Sequence, residues 1–257
     1  MSGTFHELLA NDRVLRVFSL GRIVHPAVFD VFGIAGGFDA LWLDQEHGGL
    51  TAPQIQQASA YARANRLGML VRMAPISYSL VTQCFEAGAD GVMAAQIKSA
   101  DQAEEFVRWC KFAPRGCRGL NSSGLDARYT FKPLADFVRD ANQENFVAIQ
   151  IETLGALEDV DRIAAIDGVD MLFLGPADMS QALGHPAEVN HAKVWEAIDR
   201  ISAACLDHGK TWGTVPGGPE YAQRCVEKGC RMLTLASESL ALRRGVEAMK
   251  ETYASFF

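Results

Sequence analysis

Short apolar runs alternate with amphipathic segments along the whole chain. The runs have the length of buried strands, and the segments between them repeat apolar residues at three- and four-residue spacing, as on one face of a helix. Strands that alternate with helices are typical of parallel βα units. The pattern predicts eight strands, at Leu15–Leu20, Ala40–Asp44, Met69–Met73, Gly91–Ala95, Val147–Ile151, Asp170–Leu174, Thr211–Val215 and Arg231–Leu235.

An amphipathic segment follows each predicted strand, and Gly or Asp marks most returns to the next strand, as helix C-caps do. Eight strand–helix pairs in 257 residues predict one domain, residues 1–257, folded as a (βα)8 TIM barrel. A doubly wound open sheet is the alternative, disfavoured because no G-x-G-x-x-G sequence follows the first strand. The predicted helices are Pro26–Ala35, Pro53–Asn65, Ser79–Ala87, Ala100–Lys111, Leu154–Ile166, His191–His208, Pro219–Lys228 and Glu238–Tyr253.

Two stretches depart from this alternation. Residues 112–145 include APRGCRGLNSSGLDARYT, which predicts a long loop with little structure of its own, followed by a helix. Loops of this length in compact domains are usually functional or contact a partner. The chain ends in SFF, and we expect the C-terminal helix and these aromatic residues to form contacts between subunits.

Composition narrows the class of protein. The chain is 49% hydrophobic and 21% charged, and its formal net charge of −7 argues against nucleic-acid binding, which needs a basic surface. It has no apolar run of about 18 residues for a membrane span and no signal-peptide pattern at its start. The six cysteines lack C-x-x-C spacing, so we interpret them as reduced thiols of a cytoplasmic protein.

The stretch from Val147 to Ser180 carries the clearest chemical signal. Glu152 follows the predicted strand Val147–Ile151, and Asp178 follows the next strand, 26 positions later (178 − 152). Strand, helix and strand place both acids at the same edge of a parallel sheet. Two carboxylates with open positions for water and substrate suit Mg²⁺ or Mn²⁺. The alternative is that Glu152 caps the following helix and Asp178 caps a short turn.

Strands two and three add an arginine, a histidine and an aspartate. Arg72 lies inside an apolar strand, and its planar fork suits a carboxylate ligand, unless it forms an internal salt bridge with Glu152 or Asp44. His47 follows Asp44 by three positions, so Asp44 could orient its imidazole for proton transfer. The alternative for His47 is an ordinary surface histidine.

A metal, a carboxylate-binding arginine and a histidine together suggest chemistry on a 2-oxo acid, in which the metal stabilises an enolate. Schiff-base chemistry would instead need a lysine inside the barrel. All seven lysines fall outside the predicted strands, which favours the metal route: Lys98, Lys111, Lys132, Lys193, Lys210, Lys228 and Lys250.

Four motifs resemble the HpcH/HpaI family of metal-dependent (class II) pyruvate aldolases, which includes 4-hydroxy-2-oxoheptanedioate and 2-keto-3-deoxy sugar acid aldolases. They are LDQEHGG, LVRM, QIET followed by LGALE, and GPADMS, and the similarity runs from about Phe38 to the C-terminus. The resemblance implies a pyruvate-type TIM barrel, a divalent metal (Mg²⁺, Mn²⁺ or Co²⁺), no organic cofactor, and a hexamer built as a trimer of dimers.

The resemblance also implies a role for each matched residue. Glu152 and Asp178 would be the metal ligands, and Arg72 would bind the pyruvate carboxylate. His47 with Asp44 would assist proton transfer at the aldol hydroxyl. The remaining substrate contacts would come from Gln150, from backbone amides around Pro176, Ala177 and Asp178, and, on the aldehyde side, from Val215 with Pro216, Gly217 and Gly218.

The chain departs from the family pattern at three places. Ala95 and Gln96 stand where relatives have a proline and an apolar residue, and the exit of strand three, MAPISYS, differs from the usual proline-containing arginine motif. Glu86 stands where some relatives have an aspartate that pairs with the histidine. We expect these differences to affect the aldehyde half of the site and to leave the pyruvate half intact.

The sequence therefore predicts an aldehyde-lyase that cleaves a 4-hydroxy-2-oxo acid to pyruvate and an aldehyde, and that catalyses the reverse condensation. The alternatives on the same metal site are a citrate-lyase-β-like acyl-CoA lyase and the hydration or decarboxylation of an oxaloacetate-like acid. The non-enzymatic alternative is a barrel that binds an oxo acid without turnover.

Overall fold

The computed structural model describes residues 4–10 and 13–257. Its eight strands are all parallel and form a closed barrel in chain order, with β1 paired to β8, so the predicted TIM barrel is confirmed. Two strands, β1 and β2, have the predicted bounds. Five others differ from the prediction by one residue at one end, and β8 begins one residue earlier and ends two residues later than predicted. The strands are β1 Leu15–Leu20, β2 Ala40–Asp44, β3 Gly68–Met73, β4 Gly91–Ala94, β5 Phe146–Ile151, β6 Met171–Leu174, β7 Thr211–Thr214 and β8 Cys230–Ser237.

Helices surround the barrel, and each predicted helix is found. Two short helices, α1 and α9, were not predicted, because one or two turns are too short to show a periodicity. The predicted helix 154–166 is divided at Asp159, whose ψ of 10° is not helical and whose carboxylate accepts the N–H of Ala100. The helices are α1 Phe5–Leu9, α2 Pro26–Ala35, α3 Ala52–Ala64, α4 Tyr78–Glu86, α5 Ala100–Cys110, α6 Leu134–Glu144, α7 Leu154–Glu158, α8 Val160–Ala164, α9 Pro176–Ala182, α10 Ala192–Asp207, α11 Pro219–Glu227 and α12 Glu238–Thr252.

The interior of the barrel is filled from its N-terminal end. Inward-facing side chains of the strands pack in layers, among them Trp42, Phe146 and Phe173. Helix α1 lies across this end, where Phe5 stacks on Phe146 with 5.1 Å between ring centroids. A capping box between Thr4 and the following turn fixes the start of the helix. The polar inward positions are therefore left at the opposite, C-terminal end of the strands.

The long loop that was predicted within residues 112–145 runs to Pro133, and α6 follows it. It is anchored by a buried arginine, Arg118, which forms an ion pair with Asp126. The Arg118 guanidinium also lies over the rings of Phe85 and Phe112, at 5.0 Å and 4.8 Å. These contacts replace secondary structure as the source of order in the loop.

No helix in residues 4–10 and 13–257 is both long and apolar enough to cross a bilayer. All six cysteines are unpaired thiols, and only Cys117 is exposed. Burial raises the pKa of Cys84, for example, to about 12, so this thiol stays protonated and unreactive at neutral pH.

Asp90, directly before β4, makes stability depend on pH. Burial raises the pKa of its carboxyl to about 6, although the N–H of Met69 and the charge of Arg63 lower it. Between about pH 4 and pH 6 the native protein holds this proton and the unfolded chain has released it. The free energy of unfolding therefore falls as pH rises through this window.

Asp90→Asn is expected to remove that fall, which is on the order of 2 to 3 kcal/mol. Urea unfolding of both proteins at several pH values between about 4 and 7 measures it. The free energy of unfolding of the variant should rise relative to that of the wild type as pH rises. A difference between the two proteins that does not change with pH would contradict a raised pKa of Asp90.

Candidate active site

The carboxyl ends of the strands surround a cavity of about 420 Å³. Eight of the predicted site residues line it: Arg72, Gln150, Pro176, Ala177, Asp178, Val215, Pro216 and Gly217. A second, smaller cavity of about 200 Å³ lies beside it and contains Glu152. Asp178 borders both cavities, so the two predicted metal ligands lie at one place, where the cavities meet.

Arg72 is held rigidly in the wall of the larger cavity. Its Nε and Nη2 donate to the two carboxylate oxygens of Asp44, at 3.1 Å and 2.6 Å, and Nη1 lies 3.2 Å from Oε2 of Glu46. The internal ion pair with Asp44 that sequence reasoning offered as an alternative is therefore present. It does not use the whole guanidinium: of five N–H groups, two donate to Asp44 and one faces Glu46, which leaves two for a ligand.

The imidazole of His47 does not have the orientation that the sequence suggested. Asp44 accepts the main-chain N–H of His47 at 3.3 Å, and its carboxylate is otherwise taken by Arg72. The imidazole is 67% exposed at the rim of the barrel, with Nε2 3.8 Å from Oε2 of Glu46. Glu46, which follows strand two but received no role from the sequence, is thus the acidic side chain nearest to the ring.

The glycine after His47 explains how the loop approaches the barrel so closely. A Cβ at Gly48 would collide with the main-chain oxygens of Asp44 and Gly21. Only glycine can therefore follow His47 on this path, which keeps the Glu46–His47 turn against the end of β1.

Glu152 is buried at the end of β5, and each of its oxygens has a donor. Oε1 accepts the main-chain N–H of Gln96 at 2.7 Å and the Gln96 amide at 3.0 Å, and Oε2 accepts the amide of Gln150. Burial is the largest cause of a raised pKa of the Glu152 carboxyl, about 7. The charges of Asp178 and Glu46 also raise this pKa, and the Gln96 N–H and Arg72 lower it. Negative charge is therefore concentrated here in excess of the cations.

Asp178 belongs to the first turn of α9. The helix begins after Gly175 with Pro176 at its first position, a favourable start because proline has no N–H to leave unpaired. Pro176 consequently cannot supply one of the backbone donors implied by the resemblance. The N–H groups of Ala177 and Asp178 are the first-turn donors that remain, since Met179 N–H bonds to Gly175.

Three polar atoms of the cavity wall are buried without a hydrogen-bond partner among the described residues: Nε1 of Trp42, Oε1 of Gln150 and Oγ1 of Thr234. Buried polar groups normally have a partner, so unpaired atoms on residues that line a cavity are candidates for contact with a ligand. Trp42 also lies against Arg72, with 4.7 Å between the guanidinium carbon and the ring centroid.

The contacts of two departures from the family pattern are visible in the structure. Gln96 donates twice to Glu152, one of the two predicted metal ligands. Glu86 borders a separate cleft with Gln56 and Gly124, away from the cavity that contains Arg72. Within one chain, Glu86 therefore does not pair with His47.

The chemistry of these groups fits a divalent cation. Glu152 and Asp178 could supply oxygen ligands, and the nearby excess of negative charge would be relieved by a cation. The unpaired Oε1 of Gln150, next to Glu152, is suited to a water in the coordination sphere. None of the seven lysines lies in a strand or borders the cavity, which excludes a Schiff base from this site.

The chain is similar in sequence to a known family of aldolases and lyases. The sequence profile of the HpcH/HpaI aldolase/citrate lyase family matches residues 18–244. The hydroxypyruvate/pyruvate aldolase of Delftia acidovorans is 32% identical over 216 residues, which cover 82% of this chain and 78% of that protein. The 4-hydroxy-2-oxo-heptane-1,7-dioate aldolase of Klebsiella pneumoniae is 30% identical over 217 residues, with coverage of 83% and 80%.

The fold comparison agrees with the sequence comparison. The crystal structure of an HpcH/HpaI aldolase from Desulfitobacterium hafniense superimposes with a TM-score of 0.89 at 28% identity and covers 96% of this chain and 97% of that one. The resemblance carried by the four motifs is confirmed, and the chain belongs to the HpcH/HpaI aldolase/citrate lyase family.

Proposed function

We propose that this protein is a metal-dependent aldolase that cleaves a 4-hydroxy-2-oxo acid to pyruvate and an aldehyde, and that catalyses the reverse condensation. The observation that carries the proposal is the juxtaposition of Arg72, which keeps two N–H groups free, with Glu152 and Asp178 around one cavity. The relatives named as pyruvate or 4-hydroxy-2-oxo acid aldolases support it.

Glu152 and Asp178 would hold Mg²⁺, Mn²⁺ or Co²⁺. When bound, the cation supplies the positive charge that offsets the charge developing on the 2-oxo oxygen as the carbon–carbon bond breaks. Gln150 and Gln96 position the Glu152 carboxylate through their hydrogen bonds. Such supporting contacts typically change metal affinity about 10- to 100-fold.

The carboxylate of the 2-oxo acid binds at Arg72. The guanidinium is kept in place by Asp44 and Glu46, so little side-chain entropy is lost when the ligand binds. The unpaired Nε1–H of Trp42 and the first-turn N–H of Ala177 border the same cavity and are further donors for the ligand.

His47 is the candidate for proton transfer. In the cleavage direction its neutral Nε2 accepts the proton of the 4-hydroxyl group, while the C3–C4 bond breaks and its electron pair moves into the enolate. Protonation of the enolate at C3 then gives pyruvate. Glu46, with Oε2 3.8 Å from Nε2, is placed to stabilise the imidazolium.

The opposite wall of the cavity would accept the aldehyde. It is formed by Val189, Val215, Pro216, Leu235 and Leu240. Among the described residues, Arg72 is the one cationic side chain that lines the cavity. An apolar wall favours an uncharged aldehyde tail, because a phosphate would lack a partner for its charge in this chain.

Pyruvate release tests the proposal. The protein is incubated with Mn²⁺ and 4-hydroxy-2-oxo acids that carry either an aliphatic or a carboxylate tail, and pyruvate is measured with lactate dehydrogenase. We expect turnover that is abolished by EDTA and restored by Mn²⁺. Activity that survives exhaustive chelation would overturn the metal mechanism, and pyruvate binding without turnover of any aldol would indicate a non-catalytic oxo-acid receptor.

Trp42→Phe tests the indole N–H as a ligand donor. A hydrogen bond to a charged group contributes about 1.5 to 3 kcal/mol, so we expect the KM for pyruvate in condensation to rise about tenfold or more. Trp212→Phe is the matched control, because Trp212 is equally buried but its Nε1 donates to the main chain of Lys228, outside the cavity. If the two variants had equal KM values for pyruvate, the Trp42 N–H would not be a donor to the ligand.

We also propose a cytoplasmic homo-oligomer, in which α12 covers a neighbouring subunit. Leu242, Val246, Met249 and Tyr253 follow one another at helical spacing and are more than half exposed, and Phe256 and Phe257 are over 80% exposed. A patch of this kind on an isolated chain is typical of an interface. The family resemblance favours a hexamer, which multi-angle light scattering would measure.

A further inference from the structure

A second group of metal-ligating side chains lies outside the active site, between α9 and α10. His185, Glu188 and His191 place one ligand atom each within 4.8 Å of the others. Nδ1 of His185 is 3.9 Å from Oε1 of Glu188. None of these three residues belongs to the proposed catalytic site.

The backbone explains why these three residues converge. The N–H of Glu188 bonds to the carbonyl of His185, and the N–H of His191 bonds to the carbonyl of Glu188, at 3.0 Å and 2.9 Å. Two successive turns with a three-residue step bring every third side chain to one side. Ala187 takes a left-handed φ of 68° between them, a conformation that is unfavourable for alanine and is imposed by the turns.

The two imidazoles already lie together. Their rings are stacked with 3.5 Å between centroids and 16° between planes. Nδ1 of His191 accepts the N–H of Lys193 at the start of α10. A neutral imidazole has a single lone pair, so zinc at Nε2 would require the tautomer with its proton on Nδ1 and would replace this hydrogen bond. Ligand atoms around a tetrahedral Zn²⁺ are roughly 3.3 Å apart at Zn–N distances of about 2.05 Å. Because the ion must lie in the plane of each ring, binding would require the stacked imidazoles to turn apart about their Cβ–Cγ bonds, together with rotation of the exposed Glu188 side chain.

We propose that His185, Glu188 and His191 form a second divalent-metal site that takes Zn²⁺, with water as the fourth ligand. Two imidazoles and one carboxylate suit zinc or a neighbouring transition metal, whereas the oxygen ligands of Glu152 and Asp178 suit Mg²⁺ or Mn²⁺. The two sites therefore select different ions.

The site acts on the wall of the substrate cavity. Val189 lies between Glu188 and His191 and borders the cavity, where its Cγ2 lies against Gly217 of the loop after β7. A bound ion would tie both ends of the segment 185–191 together. Occupancy thus holds Val189 in place against Gly217.

Zinc titration calorimetry in excess Mg²⁺ tests the proposal without reference to turnover, so its failure is separate from any failure of the aldolase assignment. Asp178→Asn is used as the background to disable the oxygen site. We expect one Zn²⁺ per chain. His185→Ala and Glu188→Gln should each weaken zinc binding by more than about tenfold, since the loss of a mere supporting contact to a ligand already has that effect.

His208→Ala is the matched control, because His208 is also a half-buried histidine but pairs with Asp161 on another surface. It should leave zinc affinity unchanged. Glu188→Gln guards against a folding defect in His185→Ala, since the Glu188 side chain is 62% exposed. Zinc should also slow amide exchange across residues 185–191 in the wild type and not in His185→Ala. Unchanged zinc affinity in both ligand variants, or no zinc binding in the background, overturns the proposal.

Discussion

Arg72→Lys is expected to lower kcat/KM for a 4-hydroxy-2-oxo acid about 100-fold or more, equivalent to roughly 3 kcal/mol of transition-state stabilisation. Lysine keeps the positive charge but cannot donate to Asp44 through two parallel bonds and still present two N–H groups to a ligand. Because the ligand carboxylate is bound before and during bond cleavage, we expect much of the loss to appear as a higher KM.

Arg118→Lys is the matched control for this variant. Arg118 is also a buried arginine in an ion pair, with Asp126, and it also lies over aromatic rings, but it belongs to the long loop and does not border the cavity. It should lower the melting temperature and leave kcat/KM close to the wild-type value. If Arg72→Lys retained both the KM and the kcat of the wild type, Arg72 would be only a structural ion pair.

The fold could be predicted because each strand and each long helix carries its own periodicity. Each strand of a parallel barrel is covered by helices on one face and by the barrel interior on the other. Both faces are therefore apolar, and each strand appears in the sequence as a short continuous apolar run. Helix α9 was not predicted, because seven residues contain too few turns for a pattern. Asp178 was nevertheless identified as a candidate site residue, because it follows a predicted strand.

The contacts within the site were harder to predict than its members. Trp42 appeared as one more apolar strand residue, and only the closed barrel shows that it borders the cavity and that its N–H is unpaired. Gln96 reaches Glu152 from a left-handed conformation, φ 53°, that no sequence pattern predicts for glutamine. Asp44 could have paired with His47 or with Arg72, and the register that sets Asp44 opposite Arg72 decided for the arginine.

Helix α9 and the segment after it connect the two proposed metal sites. Asp178 lies in the first turn of α9, and His185 follows the end of the helix, where its N–H bonds to the carbonyl of Ser180. The same segment then supplies Val189 to the cavity wall. One connection between β6 and α10 thus carries a proposed ligand of the catalytic metal, a residue of the cavity wall and the three proposed zinc ligands.

Glu152→Gln and Asp178→Asn are each expected to lower kcat/KM by about 1,000-fold, since a metal acting as a Lewis acid contributes several kcal/mol. Both substitutions keep the size of the side chain. In Glu152→Gln the new carbonyl oxygen can still accept from Gln96, so the local structure should persist. The loss should therefore come from the metal, and Mn²⁺ binding measured by electron paramagnetic resonance should fall in parallel.

Stability separates this explanation from a structural one. Glu152 is buried near the negative charges of Asp178 and Glu46, so removing its charge in metal-free protein should leave the melting temperature unchanged or raise it. Asp90→Asn, which alters a carboxylate buried near the other end of the barrel, should retain both Mn²⁺ binding and activity. A Glu152→Gln protein that binds Mn²⁺ as tightly as the wild type, or one that loses activity only because it unfolds, would refute Glu152 as a ligand.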